Sequence, residues 1–385
     1  MRIRRWRIAL LATAVALTAV GSGLDAGTAA ATSTAVAASS RSASKSIPFV
    51  EATVTQTADG YDVTWTSTRA GRVQVFAGTN VGAVGHDLKV GAGRASGSIH
   101  VTGLPAAPRW YFELSPAKGG ALVIADRMLH LASAPNFRDA GGYRTKDGRW
   151  VRMGVLYRSD GLDKLSDADY ATVQALGIKL VCDLRTDYER GKGADRVIPG
   201  AENVVFDVAG DSDQTKAITE AVTSGDKAAQ QEVLGNGKAA KILVDAGRSI
   251  VSSPSAKAAY SAMFARLEQP SSLPAIFHCS GGKDRSGWAA ATLLTALGVA
   301  RATVERDYLL SNDALRANNE RTLAATAQLI DRALIEPLIV VRKQYLDASF
   351  DEVKKRFGTF DRYLARGLGI DATARARLEQ ELLIG

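Results

Sequence analysis

The run PAIFHCSGGKDRSGWAAATLLTALG, residues 274–298, changes character twice. An apolar, strand-length segment comes first. A glycine turn crowded with polar groups follows, and then an apolar segment of helix length. A strand that passes directly into a helix suits an open α/β sheet, whose sites lie at the C-terminal edge of the strands. The flanking sequence agrees. Strand-like VLYRS (155–159) and IKLVCDLR (178–185) alternate with helical patterns at SDADYATVQALG, across 212–268 and from Arg285 to Leu297. Ser166 is placed to cap the first of these helices. The expectation is an α/β domain over 130–385, with a central, mostly parallel sheet flanked by helices. The C-terminal third reads as helical, with Pro337 breaking or beginning a helix. Residues 208–255 are polar and weakly amphipathic, and read either as a helical lid-like insertion or as a solvated helical excursion.

Before residue 130 the pattern is different. From Phe49 onward, short alternating runs are separated by Gly, Pro, Asn and Asp at intervals that suggest a small all-β sandwich over 48–127. Residues 31–47, rich in Ala, Ser and Thr, read as a flexible linker. The first residues, MRIRRWR followed by IALLATAVALTAV and small residues, read as a signal peptide over 1–30, with a boundary as late as 38. The apolar run is short for a membrane span of ~20 residues. The expected location is therefore secreted or extracytoplasmic, with an uncleaved, membrane-bound form as the alternative. The net charge of +8 falls to +5 when the four arginines and one aspartate of 1–30 are removed. Mild basicity suits an anionic substrate.

The turn itself carries the chemistry. The strand delivers Cys279 to a loop formed by Ser280, Gly281, Gly282, Lys283 and Asp284. Two glycines let successive N–H groups turn inward as an anion nest, and the following helix points its positive end at the same spot. Arg285, six residues after the cysteine, returns a planar fork suited to two phosphate oxygens. Such donors favour a thiolate over a thiol and stabilise charge on a transferring phosphoryl group. Attack by the sulfur would give a cysteinyl phosphate. Two cysteines and four histidines exclude a four-cysteine zinc site, and neither metal nor cofactor is expected. A Walker A loop needs Gly at 277 and Ser or Thr at 284, where Phe and Asp stand. There is no Gly-x-Ser-x-Gly elbow and no nucleic-acid motif. Cys182 reads as buried and inert, or as a partner that captures oxidised Cys279.

The string His278-Cys279-x-x-Gly282-Lys283-Asp284-Arg285-Ser286-Gly287 resembles the loop of a bacterial and fungal group of protein-tyrosine phosphatases that also accept phosphoinositides. Asn136-Phe137-Arg138-Asp139-Ala140-Gly141-Gly142-Tyr143 resembles the N-terminal signature of that group. Leu156-Tyr157-Arg158-Ser159, with Cys182-Asp183-Leu184-Arg185-x-x-x-Glu189, resembles its second block, and YLDASFDEVKKRFGTFDRYLARGLGID its C-terminal helices. The resemblance implies a nucleophilic Cys279, a phosphate-binding Arg285 and, since the chain has no Trp-Pro-Asp, a general acid at Asp284. It places Ser280, Gly281, Gly282, Lys283, Ser286, Gly287 and His278 at the substrate, with Ser286 hydrogen bonding to the sulfur and His278 orienting the loop. Arg138, Asp139, Asp183 and Arg185 read as pocket residues or as structural ion pairs. Over 48–127, GSIHVTGLPAAPRWYFELSP resembles the fibronectin type III module, a candidate contact for a cell surface or polymer. His86 and His100 there read as surface residues.

The expected function is a secreted cysteine-dependent phosphatase acting on phosphotyrosine, with phosphoserine and phosphothreonine as further substrates. The alternatives are a phosphoinositide or inositol-phosphate phosphatase and, from another class, a catalytically idle binding protein.

Overall fold

The computed structural model describes residues 45–210 and 213–385. The signal peptide and most of the expected linker lie outside the described residues. Among those described, no helix is long and apolar enough to cross a membrane. The end of the expected linker is already packed: Ile47 is buried, and Gly120 donates its N–H to the Ser46 carbonyl. An apolar side chain at 47 extends the first core, so order begins before residue 48.

Seven strands come first: β1 (Phe49–Gln56), β2 (Gly60–Ser67), β3 (Val73–Gly78), β4 (Lys89–Gly93), β5 (Gly97–Thr102), β6 (Tyr111–Pro116) and β7 (Leu122–Ile124). They form two antiparallel sheets, β1-β2-β5 and β4-β3-β6-β7. Alternation sorts their faces. In β2, Val63 and Trp65 are buried while Asp62 is exposed. Phe49, Val75, Val101, Phe112 and Leu114 meet them in one core. Trp150, from the next domain, completes that core, and Ile384 packs against it. His86 and His100 are exposed, beside Glu113 and Asp62 respectively.

The second domain contains β8 (Arg138–Asp139), β9 (Trp150–Val151), β10 (Leu156–Ser159), β11 (Leu180–Asp183), β12 (Glu202–Val205), β13 (Ala275–His278) and β14 (Leu383–Ile384). The central sheet runs β12-β11-β13-β10-β8. Its first four strands are parallel, and β8 is antiparallel to β10. Strand periodicity again divides the residues. Leu156, Leu180, Cys182, Ala275 and Phe277 face one core, while Tyr157, Val181 and Ile276 face another. Burial on both faces explains why these strands read as continuous apolar runs.

The helices are α1 (Asp167–Ala175), α2 (Asp187–Arg190), α3 (Asp213–Ser224), α4 (Lys227–Leu234), α5 (Lys238–Ser252), α6 (Pro254–Leu267), α7 (Arg285–Ala296), α8 (Arg301–Ala314), α9 (Arg316–Thr326), α10 (Arg332–Ile339), α11 (Lys343–Phe357) and, last, α12 (Ala372–Leu382). Ser166 caps α1 by accepting the N–H of Asp169. Pro337 neither begins nor breaks α10. It lies inside the final turn of that helix, which ends two residues later. α6 and α7 pack on the face that carries Cys182 and Phe277, through Tyr260, Met263, Phe264, Trp288 and Leu293. α1 covers the other face through Val173. The insertion α3–α5 forms a separate core with α9 and α10, in which Ile218, Val222 and Leu243 meet Leu323, Leu334 and Leu338.

Candidate active site

β13 ends at His278, and Leu184 donates its N–H to the His278 carbonyl at 2.9 Å. The chain then turns through residues 279–284 into α7. The turn is held from behind, carbonyl by carbonyl. Gly161 N–H donates to Ser280 O (3.2 Å), Asn136 Nδ2 to Gly281 O (3.0 Å) and Arg158 Nη2 to Gly282 O (2.7 Å). Gly282 has φ +64, and a Cβ there would stand 2.5 Å from Asp160 N, so no other residue fits. With three carbonyls tied down, the N–H groups of 280–284 donate to no protein acceptor among the described residues. That is the condition for an anion nest.

In front of the loop is a cavity of about 200 Å³. Cys279, Ser280, Gly281, Lys283, Asp284 and Arg285 form its floor. Asp160, Gly161, Asp163 and Lys164 form one wall, and Leu315, Asn318, Asn319, Arg321, Thr322 and Ile339 the rim. Of the residues the sequence brings to the site, His278, Gly282, Ser286 and Gly287 do not reach this cavity. His278 is fully buried, with Nε2 at 3.1 Å from Asp195 Oδ2. Gly287 lies under the Tyr308 ring. Ser286 Oγ is buried and has no hydrogen-bond partner among the described residues, the Cys279 sulfur included. The insertion over 208–255 contributes nothing to the main cavity among the described residues. Its apolar stripe packs on α10 and α11 instead, and α9 with its flanks forms the rim.

The charges around the loop are mostly paired. Arg285 donates from Nη1 and Nη2 to the two oxygens of Glu189, each at 2.6 Å, and from Nη1 to Leu184 O at 3.1 Å. Ser280 Oγ donates to the same carboxylate. Burial alone would raise the Glu189 carboxyl, but the charge and hydrogen bonds of Arg285 outweigh it and hold Glu189 at about 2. Glu189 sits at the third position of α2, where its carboxylate also accepts the Thr186 N–H in a capping box. Lys283 is not a solvated lysine: it is buried and pairs with Asp284 at 2.6 Å. Behind the loop, Arg138 and Arg158 share Asp307, at 3.2 and 2.8 Å. Burial lowers Arg158 to about 10, whereas the two guanidiniums overcome burial at Asp307 and pull it far down.

Arg138, Asp139, Asp183 and Arg185 are all ion-paired and none of them lines the cavity, although Arg185 also reaches the wall residue Asp163 at 3.7 Å. Asp139 takes Arg109 at 2.8 Å, and Arg185 takes Asp183 and Asp195 at 2.9 and 2.7 Å. Asp183, Asp195 and His278 stand close enough to hold a cation. Arg185 already neutralises both carboxylates, so the set does not suit a metal. Cys182 and Cys279 are both free and buried. Cys182 pairs in register with Phe277, and burial pushes its thiol far up.

The tyrosine phosphatase family is matched over residues 129–384. The chain belongs to that family. A Cupriavidus necator protein that carries the name tyrosine-protein phosphatase is 32% identical over 281 residues, which cover 70% of this chain and 93% of that protein. The triple specificity protein phosphatase PtpB of Mycobacterium tuberculosis is 29% identical over 278 residues, covering 66% of this chain and 98% of PtpB. The chain is thus a protein-tyrosine phosphatase, and the idle binding protein falls away. Two residues of this phosphatase are at the site without being named as site residues from the sequence, although Glu189 closes the second block. Glu189 stands 96 positions before Arg285, and its spacing after Arg185 gave no partner. Asp160 follows a block that ended at Ser159.

Proposed function

We propose that this phosphatase is secreted and hydrolyses phosphotyrosine through a cysteinyl phosphate on Cys279. The observation that carries the reading is the placement of Cys279 and Arg285 on one cavity floor, inside a loop whose N–H groups lack protein acceptors. In the first step Sγ attacks phosphorus, and the P–O bond to the leaving group breaks toward oxygen. That oxygen takes a proton from Asp284. In the second step water attacks phosphorus and gives a proton back to Asp284, while the S–P bond breaks and returns the thiolate. Arg285, held flat by Glu189, and the loop N–H groups stabilise the spreading phosphoryl charge. Phosphoserine, phosphothreonine and phosphoinositides are further substrates. The triple specificity named for PtpB supports that breadth. The leader at 1–30 supports secretion. The three-plus-four arrangement of β1–β7 supports a fibronectin III-like module, with contact to a cell surface or polymer as its outward role.

The test is hydrolysis of a phosphotyrosine peptide and a phosphoinositide panel by residues 45–385, reduced and without added metal, beside Cys279→Ser. Turnover that disappears in the variant is expected. Equal turnover in both proteins would sink the cysteine mechanism, and the ratio between the substrates chooses between the phosphotyrosine and phosphoinositide readings.

A further inference from the structure

The mechanism above leaves one buried carboxyl on the cavity wall unused. Asp160 follows the last residue of β10 and is 8% exposed. It lines the same cavity as Cys279 and Arg285. Its Oδ1 accepts the Asn136 N–H at 3.2 Å and the Ser159 hydroxyl at 3.3 Å. Its backbone is packed directly on Gly282 of the loop. No cation pairs with it among the described residues.

The surrounding charges are engaged with other groups. On β8, Arg138 faces Asp307 and Asn136. On β10 itself, Arg158 holds Asp307 and Gly282 O. In the loop, Lys283 pairs with Asp284, and Arg285 with Glu189. In the following turn, Asp163 lies 3.7 Å from Arg185. Lys164 and, from α9, Arg321 are exposed at the cavity edge, and Cys279 lies on its floor. Burial favours the neutral acid and outweighs the Asn136 and Ser159 hydrogen bonds and the more distant Arg138 charge, so the Asp160 carboxyl rises to about 7.

A carboxylate and a phosphate dianion repel each other strongly in so small a cavity. A neutral carboxyl does the opposite, because it donates its O–H. We propose that Asp160 is a phosphate-binding residue that works protonated, donating its O–H to a phosphoryl oxygen and excluding the anion once ionised. The proposal rests on reading loop 279–285 as a phosphate site. It also separates two aspartates. Asp284 exchanges a proton with substrate and water during turnover, whereas Asp160 keeps its proton and governs occupancy.

The test uses Cys279→Ser protein, in which no thiol titrates, and sulfate, a dianion throughout pH 5.5–8.5. Calorimetry should show binding that weakens about tenfold between pH 6 and pH 8, one pKa unit above the midpoint. In Cys279→Ser/Asp160→Asn, which keeps a donor and cannot ionise, binding should be flat. Asp160→Ala in the same background serves as a second variant and should be flat and weaker. Equal pH slopes in parent and variants overturn the proposal. No sulfate binding by any of these folded proteins at any pH overturns the phosphate-site reading instead. With Cys279 intact, KM for a phosphotyrosine peptide should rise above pH 7 at constant kcat, and Asp160→Asn should abolish that rise. A fall in kcat without a change in KM would also overturn the proposal.

Discussion

Glu189 and Asp160 both stand against loop 279–285, Glu189 on Ser280 and Arg285 and Asp160 on Gly282, and both are carboxyls taken out of water. On the Glu189 side a guanidinium meets the carboxylate with two bonds of 2.6 Å, and the acid stays ionised down to about 2. On the Asp160 side no cation pairs with the carboxyl among the described residues, and the acid reaches about 7. Burial alone therefore does not decide the charge of a group. The presence of a partner decides it, because desolvation penalises only the charge that remains uncompensated. The consequence for the site is an asymmetric cavity. One side fixes a positive fork, and the other presents a removable proton.

Removing the fork should have the largest effect. Arg285→Ala takes two donors from the phosphoryl site and leaves Glu189 buried and unpaired. A loss of roughly 10²–10³ in kcat/KM is expected for phosphotyrosine peptide. A loss below tenfold would show that Arg285 serves only Glu189. A similar pair without a cavity provides the contrast. Arg109 of the β module donates at 2.8 Å to Asp139 and at 3.0 Å to the Tyr157 hydroxyl, across the seam that Trp150 also fills. Arg109→Met should cost roughly 3–5 kcal/mol in denaturant unfolding, since it strands a buried carboxylate. It should leave kcat within a few-fold. A collapse of kcat at intact stability would mean that the seam positions the loop through Tyr157 and its neighbour Arg158.

The two carboxyls also predict opposite slopes of stability with pH. Glu189 titrates lower in the folded chain than its ordinary 4.5, so its stabilisation is complete above about 4.5 and is lost as the pH falls toward 2. The difference is on the order of 3 kcal/mol, and Glu189→Gln should lack it. Asp160 titrates higher in the folded chain than its ordinary 3.8, so the unfolded chain releases the proton first and stability falls as pH rises from about 4 to about 7. Asp160→Asn should therefore match the parent near pH 4 and exceed it at pH 8. Melting curves of the three proteins from pH 3 to 8 check both signs. Parallel curves would erase the asymmetry.

Much of this could be read without coordinates, and the limit has a physical origin. β13, the glycine turn and the start of α7 at Arg285 follow from apolar periodicity and from glycine, which are local properties. The cap at Ser166 is local too. Glu189 and Asp160 are set by contacts that the order of residues does not encode: one lies 96 positions from its arginine, and the other accepts two neutral donors but meets no cation among the described residues. The same limit explains the insertion. Amphipathicity at 208–255 says that one face is covered, but not what covers it, and the cover is α11 together with α10. Trp150 is a further case, since its place in the core of the preceding domain rests on contacts distant in the sequence.

The smallest expected effect tests how finely the Glu189 side is tuned. Ser280 Oγ donates to Glu189 Oε1, on the oxygen that also takes Arg285 Nη2. A hydrogen bond to a charged acceptor contributes about 1.5–3 kcal/mol, and the lower figure suits an oxygen that already has another donor. Ser280→Ala should therefore raise the Glu189 midpoint by about one pH unit. Acid unfolding would then begin at a higher pH, while stability at pH 7 falls by about the same 1.5 kcal/mol. The guanidinium keeps its two bonds, so kcat should stay within a few-fold. The opposite pattern, an unmoved acid limb with a raised KM, would show that the hydroxyl turns away from Glu189 to meet phosphate. Ser280 would then belong to the variable side of the cavity, together with Asp160.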